Sequence, residues 1–459
     1  MCYTEAKRHL VPPSGGRLCE RDIREEIRMD VKLQELDRIL KKEVTPALGC
    51  TGPTAVSYVA AEAAAAVGGT PQKVEVKVDR HIGTKNSDVG IPGTSVVGIR
   101  MAAALGALAG DAAAGLNVLH KVTPEDERAA LAFSQSGNVV VDVDLETEIL
   151  GLFMDCTVTT DKGVGRAVVV KTHTNLVHRE ANGQVQVDIP YDRMASMDES
   201  HDQMAGYRVA DFYAYATQMP LEDLLFLREA VDMNKTLAQT IFDGKAKGAG
   251  FAVSMMNRAE GNPIRKAKAM TAAGAEARME GFSLPAMSCA TSGNVGLTAS
   301  LPLISLAEDL GSSEEALLRA LAMSFLMTIC VKNRIGRVSS MCACVTAASQ
   351  GVAAGASMLL GGDLACVDRA INNTVVNIFG VVCDGARLAC ALKLASAAGI
   401  AIECAMMARD GVETPVNEGI VAGNADETLN FMGDFAQHGM AGSDLALCKA
   451  LYKKQNGVV

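Results

Sequence analysis

The sequence predicts an α+β fold, in which an N-terminal α/β domain with a small, mainly antiparallel sheet precedes an all-helical domain that carries the functional site. Two patterns predict this fold. Before residue 205, several short segments alternate apolar and polar residues, which is the period of a half-buried strand. After residue 205 the alternation ends and apolar residues recur at helical spacing. We therefore divide the chain into a helical extension (1–45), an α+β domain (46–204) and an all-helical domain (205–459).

The charged N-terminal extension predicts one long helix. Its apolar residues recur at roughly helical spacing, at Val31, Leu33, Leu36, Ile39 and Leu40. We expect this helix to lie on the α+β domain that follows.

Four segments of the α+β domain alternate apolar and polar residues as strands do. They cover residues 73–79, 138–146, 151–159 and 165–173. Between the last two segments, Asp161-Lys162-Gly163 predicts a hairpin turn. A helix of small residues is expected from Thr54 to about Val67, because a pair of glycines follows it.

Composition argues against several classes of function. The chain has 459 residues, of which 49% are hydrophobic, so it can bury substantial cores and is not disordered. Its formal net charge of -10 and its lack of a basic arm argue against a nucleic-acid partner. The 13 cysteines are odd in number and scattered, and the N-terminus has no signal-peptide pattern. We therefore expect a reducing, cytoplasmic location.

Two uncharged stretches, residues 282–307 and 338–362, are long enough to span a bilayer, which takes about 20 residues. Both contain several polar side chains, and neither is flanked by aromatic belts. We expect them to be buried helices of a soluble protein with no membrane partner. The expected partner is a small molecule, and a homo-oligomer remains one option.

Three segments place cysteines beside Gly and Asp in irregular chain, whereas core thiols usually occur in apolar periodic runs. The segments are Ala47-Leu48-Gly49-Cys50-Thr51-Gly52-Pro53, Ser340-Met341-Cys342-Ala343-Cys344 and residues 382–390, which include Cys383 and Cys390. We interpret these thiols as candidate ligands of a metal or cluster. The CxxC pairs of standard zinc sites are absent from the sequence. A cluster held by three cysteines would leave one iron open as a Lewis acid.

Spacing limits which of these thiols can share a site. Cys342 and Cys344 are two positions apart, so on a helix at most one of them would face a common site. Cys383 and Cys390 are seven apart, which is two helical turns on one face, and either could join Cys342. The cysteines that we interpret as buried apolar residues are Cys2, Cys19, Cys156, Cys330, Cys366, Cys404 and Cys448.

Two further segments predict anion binding. Ser292 and Asn294 lie where a helix is expected to begin, which is a natural seat for a carboxylate. The alternative is that they only cap that helix. The glycine-rich loop at residues 82–94 contains Lys85, but its spacing does not match a phosphate-binding loop.

Together these segments resemble the L-cysteine desulfidase family, which is related to the α chain of iron-sulfur L-serine dehydratases. The matching segments are collinear and comprise residues 47–53, 85–86, 89–94, 292–296, 336–344, 383–387 and 390–393. Gly52 and Val295 stand where the family pattern usually has Glu and Gln, and these two differences bear on substrate contacts. Ala343 and Arg387 replace a Gly and a Lys.

The resemblance implies an oxygen-sensitive [4Fe-4S] cluster with three cysteine ligands, and β-elimination without pyridoxal phosphate. Cys342 and Cys383 carry over as ligands, with Cys344 as the fallback for Cys342. The third ligand is Cys50 on the desulfidase pattern or Cys390 on the dehydratase pattern.

The implied reaction converts L-cysteine to hydrogen sulfide, pyruvate and ammonia. Ser292 and Asn294 would hold the substrate carboxylate, and Lys85 is a candidate base if burial lowers its pKa. His81 is a second candidate base. Three cations could balance the charge of the carboxylate or the cluster, namely Lys332, Arg334 and Arg337.

Two alternatives stand beside this reading. L-serine ammonia-lyase activity would use the same cluster and release hydroxide in place of sulfide. A non-enzymatic assembly or membrane-associated protein would use the two uncharged stretches as packing surfaces.

Overall fold

The structure is a computed structural model that describes residues 20–146, 152–192, 201–336 and 339–457. Cys2, Cys19 and Arg337 lie outside the described residues. The strands are β1 (Pro46–Leu48), β2 (Pro71–Asp79), β3 (Val139–Asp144), β4 (Phe153–Thr160), β5 (Gly163–Val170), β6 (Leu176–Ala181), β7 (Gln184–Asp188) and β8 (Pro285–Met287).

Helices account for most of the remaining chain. The α-helices are α1 (Glu20–Glu43), α2 (Thr51–Val67), α3 (Arg80–Lys85), α4 (Ile99–Ala109), α5 (Pro124–Gln135), α6 (Val209–Gln218), α7 (Leu221–Leu224), α8 (Leu227–Phe242), α9 (Phe251–Met256), α10 (Pro263–Met279), α11 (Gly293–Leu310), α12 (Glu314–Ile335), α13 (Ala343–Thr346), α14 (Ala348–Leu359), α15 (Leu364–Ile378), α16 (Cys390–Arg409), α17 (Ala425–Asp434) and α18 (Ala441–Gln455). Short 3₁₀ segments cover Ala112–Asn117 and His201–Met204, and a π-helical turn covers Phe435–Gly439.

One six-stranded sheet forms the framework of the α+β domain, in the order β3-β2-β4-β5-β6-β7. β2 and β3 are parallel, and every other neighbouring pair is antiparallel. α2 and α4 cover the sheet, and their alanine, valine and leucine side chains form one apolar core with those of β2 and β4. The predicted α+β class and its mainly antiparallel sheet are confirmed, and each of the four predicted strand segments contains a strand.

The last two strands of this sheet, β6 and β7, were not predicted. They form a hairpin through Asn182 and Gly183, whose φ angles are 50° and 77°. An Asn-Gly pair favours this left-handed turn, because both residues tolerate positive φ. The signal was therefore present in the sequence.

A two-stranded sheet connects the start of the α+β domain to the helical domain. β1 pairs antiparallel with β8, with Ala47 opposite Ala286. Next to this pair, the Ser288 amide donates to the Thr45 carbonyl oxygen at 2.8 Å. This pairing brings Gly49 and Cys50, which follow β1, close to the start of α11.

The helical domain packs through small residues. A Cβ atom at Gly351 of α14 would lie 2.3 Å from the Ser324 carbonyl oxygen of α12. Such close approach between helices is possible only where a side chain is missing. Both uncharged stretches are buried here, in α11 and in α13 and α14. In the described residues of α11, α13 and α14 no apolar face is exposed as a packing surface, so the structure gives no support to the alternative that depended on one.

Among the described residues, one helix is long and apolar enough to cross a membrane, namely α16. Of its apolar window, 61% is buried inside the protein. α16 packs on α10, α14 and α15, so it is a core helix of the helical domain.

The part of α1 whose side chains the structure describes packs on the helical domain, which corrects the expectation that this helix lies on the α+β domain. Leu36 and Leu40 are fully buried in the apolar core that contains Phe212 and Phe325. The Tyr215 hydroxyl donates to Asp37 of α1 at 2.9 Å. Apolar periodicity identified the buried face of α1, but it carries no information about which domain covers that face.

Candidate active site

The two cysteines that the sequence ranked first, Cys342 and Cys383, lie side by side. Their segments pair as a short antiparallel bridge between Met341 and Val382. The Cys342 amide donates to the Val381 carbonyl oxygen, and the Cys383 amide donates to the Ser340 carbonyl oxygen, each at 2.8 Å. Backbone pairing therefore fixes both thiols at one place, although 41 positions separate them in the sequence.

Two more cysteines complete a group that we call the thiol cluster: Cys342, Cys344, Cys383 and Cys390. The Cys342 thiol interacts with the thiols of Cys344 and Cys383 and lies in the field of Cys390. We expected Cys342 and Cys344 to point apart, and this was wrong. Cys342 is the extended residue that precedes α13, with φ -72° and ψ 99°, so helical geometry does not separate the two side chains.

The surroundings raise the pKa of three of these thiols, those of Cys342, Cys383 and Cys390. The interaction with Cys344 and burial raise the pKa of Cys342, and the interaction with Cys342 and burial raise that of Cys383. Burial raises the pKa of Cys390 to about 11. Without a cation the group holds its protons, because neighbouring thiolates repel one another and are poorly solvated. A metal would displace those protons, so this soft donor set fits an iron-sulfur cluster.

Cys50, the other candidate ligand, belongs to a neighbouring apolar cluster with Val89, Met279 and Ala386. It caps the start of α2, and its Sγ lies 3.5 Å from Oδ1 of Asn86. Since Ala386 is three residues beyond Cys383, Cys50 lies beside the same loop but contacts a different part of it.

Lys85 is buried beside the thiol cluster and forms an ion pair. Its Nζ donates to Oδ1 of Asp444 at 2.6 Å, and its carbonyl oxygen accepts from the Ala386 amide at 2.8 Å. Burial alone would lower the pKa of Lys85, but the attraction of Cys383 and Asp444 outweighs burial and raises it. A general base needs a lowered pKa, so the role predicted for Lys85 does not fit this arrangement.

Asp444, which lies on α18, interacts with several basic side chains of α3. Its Oδ2 lies 2.6 Å from Nε2 of His81 and 3.5 Å from Nε of Arg80. Burial alone would raise the pKa of Asp444, but His81 and Lys85 hold it well below its usual range. Ligand atoms of His81, Asp444 and Cys448 lie within 4.8 Å of one another, as in some metal sites. Because Lys85 and Arg80 already pair with this carboxylate, we interpret the group as an ion-pair network.

The start of α11 forms the other end of the site. Oγ of Ser292 accepts from the Val295 amide at 3.4 Å, so Ser292 caps the helix. The two residues before it, Ala290 and Thr291, have positive φ angles of 46° and 66°. Strained backbone of this kind persists where the surroundings enforce it, which is common at functional sites.

Asn294 contacts Arg278, a residue that the sequence analysis missed. Nη1 of Arg278 donates to Oδ1 of Asn294 at 3.0 Å, and its Nη2 donates to the Gly49 carbonyl oxygen at 2.5 Å. The side chain is 5% exposed, and its Nε has no hydrogen-bond partner. Arg278 is in the last turn of α10, where the helix dipole returns about 0.3–1 kcal/mol. Burying an ion costs several kcal/mol, so this position alone does not explain the burial.

His173 was also missed, because it is the last residue of a predicted strand segment and was interpreted only as part of that strand. It follows β5 and is partly buried. Burial and the nearby charge of Lys332 lower the pKa of His173 to about 4. Lys332 in turn donates to the Ala290 carbonyl oxygen, next to the cap of α11.

Of the predicted cations, Arg334 lies elsewhere, and Lys393, which was not among those predicted, lies at this site. Arg334 pairs with Asp426 at 3.3 Å, away from the thiol cluster. Lys393 pairs with Asp384, which follows Cys383, and lies in the field of Cys342 and Cys383. Lys85 and Lys393 are therefore the buried or half-buried cations next to the thiols.

Comparison of the sequence with known proteins identifies a family. Residues 113–449, more than half of the chain, match the sequence profile of the serine dehydratase alpha chain. The chain belongs to the serine dehydratase alpha-chain family. A UPF0597 protein of Clostridium tetani is 36% identical over 421 residues, which cover 92% of this chain and 99% of that protein. A UPF0597 protein of Oleidesulfovibrio alaskensis is 37% identical over 427 residues, which cover 91% and 97%.

In this member of the serine dehydratase alpha-chain family, a cleft of about 1180 Å³ opens between the two domains. Its wall includes Met279, whose sulfur accepts from Nδ2 of Asn294 at 3.4 Å. Met279 also packs on Cys50. Met279 therefore lies between the cleft and Asn294, so the cleft ends one side chain away from the start of α11.

Proposed function

We propose that the protein is a lyase that eliminates sulfide from L-cysteine, an L-cysteine desulfidase that depends on a [4Fe-4S] cluster and not on pyridoxal phosphate. The observation that carries the proposal is the largely buried thiol cluster. The loop of Cys383 packs, at Ala386, on the Cys50 and Met279 cluster that contacts Asn294 at the start of α11. Membership of the serine dehydratase alpha-chain family supports the reaction class. Free thiols throughout the described chain support a cytoplasmic location.

We assign Cys342 and Cys383 as two ligands of the cluster. Cys390 is the better supported third ligand, because its thiol lies in the field of both, whereas Cys50 contacts Ala386 instead. When bound, the cluster supplies an open iron that acts as a Lewis acid towards the leaving group. Cys344 is the fallback for Cys342.

The cations beside the thiols have a defined electrostatic role in this proposal. Thiolate ligands bring negative charge into a buried site, and each uncompensated buried charge is costly. Lys85 and Lys393 offset that charge, and their own partners Asp444 and Asp384 fix their positions. The structure thus supports Lys85 as a stabilising cation and not as the base.

The overall reaction consumes one water. The α-proton and the β-sulfur leave L-cysteine, the sulfur departs as hydrogen sulfide, and the resulting aminoacrylate hydrolyses to pyruvate and ammonia. The residues at the start of α11 would hold the carboxylate end, so that the β-carbon points towards the thiols. Orientation of this kind is a large part of what an enzyme supplies.

L-serine ammonia-lyase activity is the second candidate, and the family match favours it. It uses the same residues and differs only in the leaving group. A soft thiolate binds iron better than a hydroxyl group does in a sulfur-rich site, which favours cysteine.

The test is anaerobic purification followed by measurement of iron and acid-labile sulfide, with cysteine and serine assayed side by side. We expect a brown protein with several iron atoms per chain, a higher kcat/KM for cysteine, and bleaching in air. A colourless, iron-free protein that still releases sulfide would refute the cluster. A higher kcat/KM for serine would assign the protein as a serine dehydratase.

A further inference from the structure

A buried arginine without an acidic partner lies at the α11 end of the site. Within the described residues, Arg278 forms no ion pair, and its Nε atom has no acceptor. Its hydrogen-bond partners are two neutral oxygens, those of Asn294 and Gly49. A charge buried in this way is normally compensated by an anion.

The acidic residues nearest to Arg278 in the sequence are engaged elsewhere. The carboxylate of Glu276 accepts from the amides of Ala249, Phe251 and Ala252 at 2.8–3.0 Å. The carboxylate of Glu280 accepts from the amides of Lys247 and Gly248. Both glutamates therefore cap the loop that leads into α9, and neither compensates the guanidinium.

The guanidinium lies over the first residue of α11. A Cβ atom at Gly293 would lie 2.2 Å from Nε of Arg278, so only glycine leaves room for this contact. The amides of a helix's first turn lack acceptors within the helix and carry the positive end of its dipole. α11 has 18 residues, so the dipole is fully developed. Two independent sources of positive potential thus meet at Gly293.

The neighbouring donors extend the same surface. Nδ2 of Asn294 has the Met279 sulfur as its partner, at 3.4 Å, and sulfur is a weak acceptor. The planar guanidinium and adjacent N–H donors match the two oxygens of a carboxylate. Gly49, whose carbonyl holds Nη2, directly precedes Cys50, which packs beside Ala386 of the loop that follows Cys383.

We propose that Arg278 binds the α-carboxylate of the substrate, with Asn294 as the residue that positions it. This inference rests on the proposed function, since it assigns the anchor of the same site. It also gives Asn294 a more specific role than the sequence analysis did, because its amide oxygen accepts from the arginine. The site would then select amino acids with a free carboxylate and reject the corresponding amides.

The experiment measures binding of L-alanine, which has no leaving group, to the anaerobic holoprotein by isothermal titration calorimetry, with L-alaninamide as the matched neutral ligand. The wild type should prefer L-alanine by about thirtyfold or more, because removing one partner of a buried charge pair is costly. Arg278→Met should abolish that preference, and Arg278→Lys should restore part of it. Arg265→Met, on the exposed face of the same helix, is the control and should leave binding unchanged.

Gly293→Ala is a second variant that tests the same inference if Arg278→Met fails to fold. Alanine suits a helix start, but its Cβ would displace the guanidinium without removing the charge. We expect weaker L-alanine binding, and the cooperative unfolding of the variant, followed by circular dichroism, shows that it is folded. If Gly293→Ala and Arg278→Met both retain the preference for L-alanine, the inference is wrong.

Two outcomes separate this inference from the proposed function. A wild type that binds L-alanine through Arg278 but releases neither sulfide from cysteine nor ammonia from serine would refute the function and keep the anchor. A wild type that eliminates sulfide, with an Arg278→Met variant of unchanged KM and unchanged L-alanine binding, would refute the anchor alone.

Discussion

The two ends of the candidate site are assembled in different ways. The thiol end forms where two motif segments pair through backbone hydrogen bonds, at Cys342 and Cys383. The carboxylate end joins the last turn of α10, the first turn of α11 and the carbonyl group of Gly49. Ligand chemistry depends on residue type and is visible in a motif. An anchor such as Arg278 is ordinary in sequence, and only its burial and lack of an acidic partner distinguish it.

The largest expected effect is at the thiol end. Cys383→Ser should remove most of the iron from anaerobically purified protein, because the hydroxyl group is a poor ligand for a cluster. Cys404→Ser, a buried cysteine of α16 outside the thiol cluster, is the matched control and should keep its iron. Iron quantitation of Cys50→Ser beside Cys390→Ser then identifies the third ligand, and equal iron in all four variants would contradict the assignment.

The next effect tests the ion pair that supports the thiol end. Asp444→Asn leaves Lys85 buried without its partner, so we expect a loss of about 3–5 kcal/mol in the free energy of unfolding. Urea denaturation at neutral pH measures it. Asp434→Asn, whose partner is the exposed His438, should change it by about 0.5 kcal/mol or less.

The stability difference between the wild type and Asp444→Asn should depend on pH in one direction. The pKa of Asp444 is depressed in the folded protein, so its stabilising contribution is present above the pKa of the unfolded chain. It is lost as pH falls below about 4. A difference between wild type and Asp444→Asn that grows on acidification would contradict the ion pair.

The sequence predicted some elements of the fold and not others, and the reason lies in what each pattern can report. Alternation found β2, β3, β4 and β5 because successive side chains of a strand face opposite sides of the sheet. It missed β6 and β7, although the Asn182-Gly183 pair was a usable signal. The position of α1 could not be predicted, because periodicity describes one helix and not the partner that buries it.

At the site, sequence spacing misplaced Cys344, because Cys342 lies just outside the helix on which the spacing argument depended. Arg278 could not be recognised as buried, because an arginine near a helix end usually remains in solvent. The thiols were recognisable because irregular, glycine-rich chain is an unusual setting for them.

A smaller effect concerns the carboxylate end. Asn294→Ala removes the amide that holds Nη1 of Arg278 at 3.0 Å. We expect KM to rise by about tenfold for cysteine and serine alike, because both share the carboxylate. Steady-state assays with both substrates measure it. A changed preference between the two substrates at unchanged KM would contradict the assignment of this end.

The smallest effect concerns His173. Its pKa of about 4 lies below the usual value of about 6.5, so the unfolded chain takes up a proton between these values while the folded protein does not. Stability should therefore fall as pH drops through this window. In His173→Asn, urea denaturation at pH 7 and pH 5 should show a decline smaller by about 1 kcal/mol. The exposed His438→Asn should match the wild type, and an identical decline in all three proteins would contradict a depressed pKa.

The central claim is that the thiol cluster and the α11 end form one eliminating site. The most direct measurement is the product stoichiometry of the anaerobic holoprotein with L-cysteine, determined in parallel on Cys383→Ser. We predict equal amounts of sulfide, pyruvate and ammonia from the wild type and almost none from the variant. Sulfide released without pyruvate, or equal turnover by Cys383→Ser, would contradict the claim.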